Sequence, residues 1–264
     1  MQQSETPSLK GSHAAVTGGG SGIGAAAARE LARQGARVTL MGRSRKRLDA
    51  VAKAIAAAGG TAAVEPVDVT EPASVASAFA SAAARLGPLS ILVNNAGTAE
   101  SAPFARTGLD LLERMLRVNL TGAFLCTQAA LPAMLAARSG RIVSVASTAG
   151  LRGYAYVAAY CAAKHGLVGM TRALALEIAR SGVTANAVCP GYTETELMDR
   201  AVANIVAKTG RSADAARAEL AAVNPMGRFV KPEEVAATIA FLCSAAAASL
   251  TGEAIAVAGG EVTS

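Results

Sequence analysis

The 264-residue chain has no tryptophan and few aromatic residues, which restricts both its core and its partners. Phe, Trp and Tyr make up 3% of the residues, whereas hydrophobic residues make up 52%. The core must therefore be built mainly from Ala, Val, Leu and Ile, whose small volumes let helices pack close to a sheet. Proteins that bind single-stranded nucleic acid stack the bases on aromatic side chains, and this chain contains few of them, so such binding is not expected.

Residues that commonly bind metals are also scarce and widely separated. The sequence contains two histidines and four cysteines, and neither set shows a metal-binding or Cys-x-x-Cys spacing. No metal site is expected. The cysteines are predicted to be reduced core thiols of a cytoplasmic protein.

Signals for export or membrane insertion are weak. Residues 1–10 are polar, lack the apolar segment of a signal peptide and are predicted to form a disordered tail. The longest run without a charge, residues 118–137, is long enough to cross a bilayer. It contains several polar residues and a proline, which favours a buried helix, and no membrane is expected as a partner.

Apolar runs alternate with helical patterns along the chain and predict a single doubly wound, Rossmann-type α/β domain over residues 11–264. One long helix is expected over about 109–137. Residues 196–224 are Ala-rich, charged and helical without a strand, so they predict a lid inserted over the strand ends. The predicted strands are 13–17, 37–41, 62–67, 89–93, 141–146, 183–188 and 253–257.

A glycine-rich turn follows the first strand and precedes a helix, the arrangement that presents backbone N–H groups to a phosphate. The next strand ends in Gly42-Arg43 about 20 residues later, where an acidic residue would bind the ribose of NAD and an arginine would accommodate the 2′-phosphate of NADP. The net charge is +6, and the only basic run, Arg43 to Arg47, follows this strand. The pattern therefore favours NADP(H), with NAD(H) as the alternative.

Ser147 follows a short β-branched strand, and Tyr160 and Lys164 lie in the helical stretch beyond it. Their four-residue spacing places Tyr160 and Lys164 on one helix face. A cation beside a phenol stabilises the phenolate, so Lys164 is expected to lower the pKa of Tyr160 and make it a general acid/base.

These motifs, in this order, resemble the short-chain dehydrogenase/reductase family over nearly the whole chain. Within the family, segments 140–143, 164–166 and 187–191 are most similar to 3-oxoacyl-thioester reductases and aromatic-polyketide ketoreductases. The resemblance implies four catalytic residues, Asn119, Ser147, Tyr160 and Lys164. The implied cofactor-binding residues are Gly18, Ser21, Gly22, Ile23, Gly24, Arg43, Asp68, Val69, Asn95, Ala96, Gly97, Tyr160, Lys164, Pro190, Gly191, Thr193 and Thr195. The expected substrate pocket contains Ala149, Tyr154, Tyr192, Leu197 and Met198.

The predicted function is hydride transfer between NADP(H) and a ketone/secondary-alcohol pair, with a 3-oxoacyl thioester or related ketone as the substrate. The resemblance also implies a homotetramer. Two other functions stay open: an NAD-dependent secondary-alcohol dehydrogenase of the 3-hydroxyacyl-CoA type, and a non-catalytic nucleotide sensor on the same fold. Nucleic-acid binding is a third alternative and is not expected.

Overall fold

The computed structural model describes residues 9–263. It contains a seven-stranded sheet in which every neighbouring pair of strands is parallel. The strands are β1 (His13–Thr17), β2 (Arg37–Gly42), β3 (Thr61–Pro66), β4 (Ile91–Asn94), β5 (Gly140–Val145), β6 (Val183–Pro190) and β7 (Ala254–Val257). Their order is β3-β2-β1-β4-β5-β6-β7, which confirms the predicted doubly wound α/β fold.

Helices cover both faces of this sheet, as the near-continuous apolar strands require. Consecutive residues of β1 point to opposite faces of the sheet. Val16 belongs to the core cluster of Leu31 and Ile239, whereas Ala15 belongs to the cluster of Phe79 and Met134. The helices are α1 (Gly22–Arg33), α2 (Arg45–Ala57), α3 (Pro72–Leu86), α4 (Leu109–Leu116), α5 (Gly122–Ala137), α6 (Ala158–Ile178), α7 (Glu196–Thr209), α8 (Ala213–Ala222) and α9 (Pro232–Cys243).

The long helix predicted over residues 109–137 is interrupted. A π-helical turn, Arg117–Thr121, separates α4 from α5 and contains the buried Asn119. The 29-residue stretch Leu109–Ala137 contains an 18-residue window with a mean hydropathy of 1.5, so by length and composition it could span a membrane. However, α5 contributes Cys126, Ala130 and Met134 to the core against the sheet, so the stretch is part of the α/β fold.

The structure bears on two predicted segments, the amino-terminal tail over residues 1–10 and the insertion over residues 196–224. Residues 1–8 of the predicted tail lie outside the described residues. Leu9 is buried against the α1 side of the sheet and its N–H donates to the carbonyl of Gln34 at 2.8 Å, so the fold begins earlier than expected. The inserted segment 196–224 forms α7 and α8, and its role as a lid stays a prediction.

Candidate active site

The glycine-rich turn follows β1 and places the amino end of α1 over the edge of the sheet. Gly18 has φ 64°, a left-handed conformation that favours glycine. Gly24 lies against this turn so closely that a Cβ there would come 2.3 Å from the carbonyl oxygen of Gly18. Both glycines are therefore required for the turn to fold back on the helix.

The first turn of α1 faces an open cleft of about 690 Å³. Ser21 precedes the helix without capping it through its side chain, and no acidic residue occupies the first turn. Gly22 lines the cleft, whereas the side chain of Ile23 packs into the core. Backbone N–H groups at a helix amino end attract a phosphate, and the missing side chain of Gly22 leaves room for it. These residues fit the pyrophosphate of a dinucleotide.

A hydrogen-bond network ties this turn to the end of β4. The side-chain amide of Asn95 donates to the carbonyl oxygens of Thr17 at 2.9 Å and Gly18 at 3.2 Å. The hydroxyl of Thr17 accepts from the backbone N–H groups of Asn95 and Ala96, each at 3.0 Å, and donates to the carbonyl of Val93 at 3.3 Å. Sequence reasoning placed Thr17 at the end of the first strand and gave it no role in the site.

The end of β2 lies beside the turn, since the N–H of Gly19 donates to the carbonyl of Met41 at 3.1 Å. Arg43 follows the strand, is exposed and makes no hydrogen bond or ion pair within residues 9–263. Asp68 accepts from the N–H of Thr70 at 3.0 Å and from its hydroxyl at 2.8 Å. These bonds, with smaller contributions from Arg43 and Arg117, hold the pKa of Asp68 below its usual range.

Val69 was predicted to contact the cofactor, but its side chain is buried and packs in the core. It is buried in the core, where a Cβ on Gly122 would come within 2.8 Å of its Cγ2. Its backbone still follows Asp68 at the carboxyl edge of the sheet.

The predicted catalytic side chains meet at the carboxyl end of β5. Ser147 follows this strand, and its hydroxyl accepts from the N–H of Ala149 at 3.1 Å. Tyr160 and Lys164 lie on α6, with the ammonium nitrogen 5.6 Å from the centre of the phenol ring. The buried ammonium donates to the carbonyl of Val145 at 2.9 Å, which fixes it beneath the strand end.

Asn119 reaches the same place through the π turn. Its side chain donates to the carbonyls of Thr98 at 2.9 Å and Met115 at 3.0 Å. A Cβ on Gly97 would come 2.7 Å from the Asn119 Oδ1 and 3.6 Å from the Lys164 nitrogen, so only glycine fits between them. The structure thus brings all four predicted catalytic residues together, and π turns are frequent at functional sites.

The pKa values of Tyr160 and Lys164 both shift with burial, and that of Tyr160 shifts in the direction opposite to the one expected. Burial raises the pKa of Tyr160 to about 12, and a hydrogen bond with Ser147 opposes this rise only in part. Burial also lowers the pKa of Lys164 to about 8. In the chain without cofactor, burial therefore outweighs the lowering expected from Lys164, because burial disfavours the phenolate and the ammonium donates to the carbonyl of Val145. At neutral pH the phenol is protonated.

The segment after β6 lines the opposite side of the cleft. Gly191 follows Pro190 and donates its N–H to the carbonyl of Val257 at 3.1 Å. The hydroxyl of Thr193 is bonded to the Gly191 carbonyl at 2.9 Å, and Thr195 lies 3.1 Å from where a Cβ on Gly22 would be. The segment therefore reaches the phosphate end of the cleft.

The predicted substrate pocket is only partly open. Ala149 is buried, and Met198 packs with Tyr192 in a cluster formed within α7 and α8, while Leu197 is half-buried. The Tyr154 hydroxyl donates to the carboxylate of Glu261. Sequence reasoning missed Glu261, since a single glutamate near the carboxyl end of the chain has no local pattern that points to the site.

The inserted helices carry ion pairs that join them to each other and to α2. Arg217 of α8 pairs with Asp199 of α7. The guanidinium of Arg47 lies 2.7 Å from the carboxylate of Glu196, which joins α2 to α7. The side-chain amide of Asn204 also donates to the hydroxyl of Ser101 at 3.1 Å, which joins α7 to the segment after β4.

Comparison with known proteins gives a consistent result. Residues 12–205 match the family model for short chain dehydrogenases. The chain is 40% identical over 249 residues to granaticin polyketide synthase putative ketoacyl reductase 1 from Streptomyces violaceoruber, covering 94% of this chain and 92% of that protein. It is 45% identical over 248 residues to cis-4-hydroxycyclohexanecarboxylate dehydrogenase from Sinomonas cyclohexanicum, covering 94% and 95%.

Among solved structures, a point variant of actinorhodin polyketide ketoreductase with NADPH is similar in fold and sequence. The TM-score is 0.92 at 39% identity, and the match covers 95% of this chain and 97% of that one. The similarity extends over nearly the full length of both chains.

Proposed function

The chain belongs to the short-chain dehydrogenase family and is an oxidoreductase of a ketone/secondary-alcohol pair, and from this we propose that it reduces a neutral ketone or 3-oxoacyl thioester with NADPH. The observation that carries the proposal is the convergence of Ser147, Tyr160, Lys164 and Asn119 at one strand end, beside a turn that fits a dinucleotide. The similarity to ketoreductases supports the reductive direction.

Each side chain has a part in this proposal. Bound NADPH supplies the hydride. Ser147 donates a hydrogen bond to the substrate carbonyl and orients it, and Tyr160 gives its proton to the same oxygen. The pKa of Tyr160 lies above neutral, so the phenol holds its proton at neutral pH, as an acid for ketone reduction must. Lys164 holds the ribose of the cofactor, and Asn119 maintains the turn of α4 into α5 beside it.

Cofactor choice rests on Arg43. Its guanidinium is exposed beside the cofactor turn and makes no ion pair within residues 9–263, so it is available to a 2′-phosphate. Gly42 carries no carboxylate that would bind a free ribose diol. A cofactor-consumption assay with NADPH and NADH over neutral ketones and 3-oxoacyl thioesters tests the proposal, and activity confined to the oxidation of alcohols with NAD would contradict it.

The thioester part of the proposal depends on α7 and α8. Of the basic residues there, Arg211 and Arg217 are paired with Glu219 and Asp199, which leaves Arg200 and Lys208 without an acidic partner within residues 9–263. These two are therefore the candidates to meet the phosphates of coenzyme A or an acidic carrier, whereas the charge of Arg217 is already paired with Asp199.

The thioester assignment is tested by charge reversal. Arg200→Glu should raise KM for 3-oxobutanoyl-CoA and leave KM for a small neutral ketone unchanged, whereas Lys53→Glu on the distant α2 should change neither. Equal effects on both substrates would remove the thioester from the proposal.

A homotetramer and a cytoplasmic location also remain part of the proposal, supported by family membership. Light scattering tests the tetramer.

One alternative has a specific observation in its favour. The relative with 45% identity is named for a substrate that carries a carboxylate. Reduction of 4-oxocyclohexanecarboxylate in preference to its methyl ester would favour that class of substrate over neutral ketones.

A further inference from the structure

A buried carboxylate lies beside the predicted substrate pocket. Glu261 is 8% exposed and sits four residues beyond β7, the last strand. One carboxylate oxygen accepts from the hydroxyl of Tyr154. The other, Oε2, is buried and has no hydrogen-bond partner within residues 9–263. Buried carboxylates are usually fully paired, so this half-satisfied group calls for an explanation.

The location of this carboxylate relates it to the reacting centre. Its Oε2 lies 2.6 Å from where a Cβ on Gly191 would be, at the carboxyl end of β6. Tyr154 lies in the segment that joins Ser147 to Tyr160. The negative charge of Glu261 also contributes to the raised pKa of Tyr192, second to burial. Glu261 therefore acts on two residues of the predicted pocket from one side.

A positive group, Arg152, also contacts these residues and is more exposed than the carboxylate. Arg152 donates to the backbone carbonyl of Glu261 at 3.2 Å and stacks on the ring of Tyr154, with 4.7 Å between the guanidinium carbon and the ring centre. Its residue is exposed, so water and salt screen its charge more than they screen the buried carboxylate. The buried carboxylate is therefore the less screened of the two charges.

We propose that Glu261 is a specificity-determining residue that excludes substrates with a carboxylate near the reacting ketone. A substrate anion would face a like charge held in place by Tyr154, whereas an ester or thioester would not. This inference rests on the proposed function and deepens it, because it selects neutral ketones and thioesters over keto acids.

The test uses matched substrates that differ by one charge. NADPH-dependent reduction is measured for 3-oxobutanoate and its methyl ester, and for 4-oxocyclohexanecarboxylate and its methyl ester. Glu261→Gln keeps a hydrogen-bond acceptor for Tyr154 and removes the charge. We expect it to raise the acid-to-ester ratio of kcat/KM by about tenfold in at least one pair, the scale of one like-charge contact in a partly screened site.

Two further variants keep the result interpretable. Glu253→Gln removes the same charge at an exposed site before β7, at the opposite end of the strand, and should leave both ratios unchanged. Arg152→Gln removes a positive charge and should lower the acid-to-ester ratio, so the reasoning can be checked even if Glu261→Gln folds poorly.

The outcomes separate this inference from the proposed function. If the wild type reduces the esters and a folded Glu261→Gln changes neither ratio, the specificity role is refuted and the proposed function stands. Where Glu261→Gln does not fold, unchanged ratios in Arg152→Gln refute the role in the same way. If the wild type reduces neither ester with NADPH, the proposed function fails and this inference fails with it.

Discussion

Replacing Gly42 by Asp together with Arg43 by Ala should convert the cofactor preference from NADPH to NADH. An aspartate at position 42 fits without rearrangement, because the nearest atom to its Cβ would be 3.7 Å away, in the side chain of Leu48. The change at position 43 breaks no ion pair within residues 9–263. Neither substitution is therefore expected to disturb the cofactor turn.

The size of the change follows from the two charges. A hydrogen bond to a charged group contributes about 1.5–3 kcal/mol, or about 10- to 150-fold in an equilibrium constant. Loss of the Arg43 bond to a 2′-phosphate and gain of repulsion from the new carboxylate act in the same direction. The ratio of kcat/KM for NADPH to that for NADH should thus fall by about 100-fold or more.

The assay is initial-rate kinetics with each cofactor at a saturating concentration of one ketone. Arg45→Ala is the matched control, since Arg45 is a neighbouring exposed arginine, 3.7 Å from the carboxylate of Asp49. It should leave the ratio within about twofold if only Arg43 meets the 2′-phosphate. A wild-type enzyme that prefers NADH, or an equal effect of Arg45→Ala, would refute the assignment of Arg43.

Three other predictions concern the catalytic centre and its support. Tyr160→Phe should lower turnover by about 10²–10⁴-fold, since it removes the proton donor, while NADPH still binds in a fluorescence titration; near-normal turnover would contradict the proposed acid. Thr17→Val leaves two partly buried N–H groups without their acceptor and should lower the free energy of unfolding by about 1–3 kcal/mol in urea denaturation. Unchanged stability would show that the bonds are replaced. Burial lowers the pKa of Lys164 to about 8 in the free enzyme, so its ammonium is charged below pH 8 and loses its proton above it. Because the ammonium holds the cofactor ribose, kcat/KM for NADPH should fall as the pH rises through 8. A profile that stays flat to pH 10 would exclude this dependence.

The features that sequence predicted well are those with local causes. The turn at Gly18 needs residues that tolerate a left-handed backbone and close contact, and only glycine combines both. The turn can therefore be recognised from the sequence. The parallel sheet follows from short apolar strands separated by helices, because each such strand needs cover on both faces. These requirements act within a few residues of one another.

Other features depend on contacts between distant segments and leave no local pattern. The π turn around Asn119 is read as continuous helix from its composition, since its side chain finds partners in Thr98 and Met115 only after folding. Arg217 looks like a free surface cation until α7 brings Asp199 beside it. The role of Glu261 becomes apparent only when residues 107 positions apart in the chain meet, as its carboxylate does with Tyr154.

The pKa of Tyr160 shows why the same four residues can be recognised in sequence while their electrostatics cannot. Spacing on α6 places a cation near the phenol, and from spacing alone the phenolate should be stabilised. In the folded chain the ammonium donates to the carbonyl of Val145, and burial acts on both groups, raising one pKa to about 12 and lowering the other to about 8. The balance is set by depth and by a backbone carbonyl, neither of which a sequence motif records.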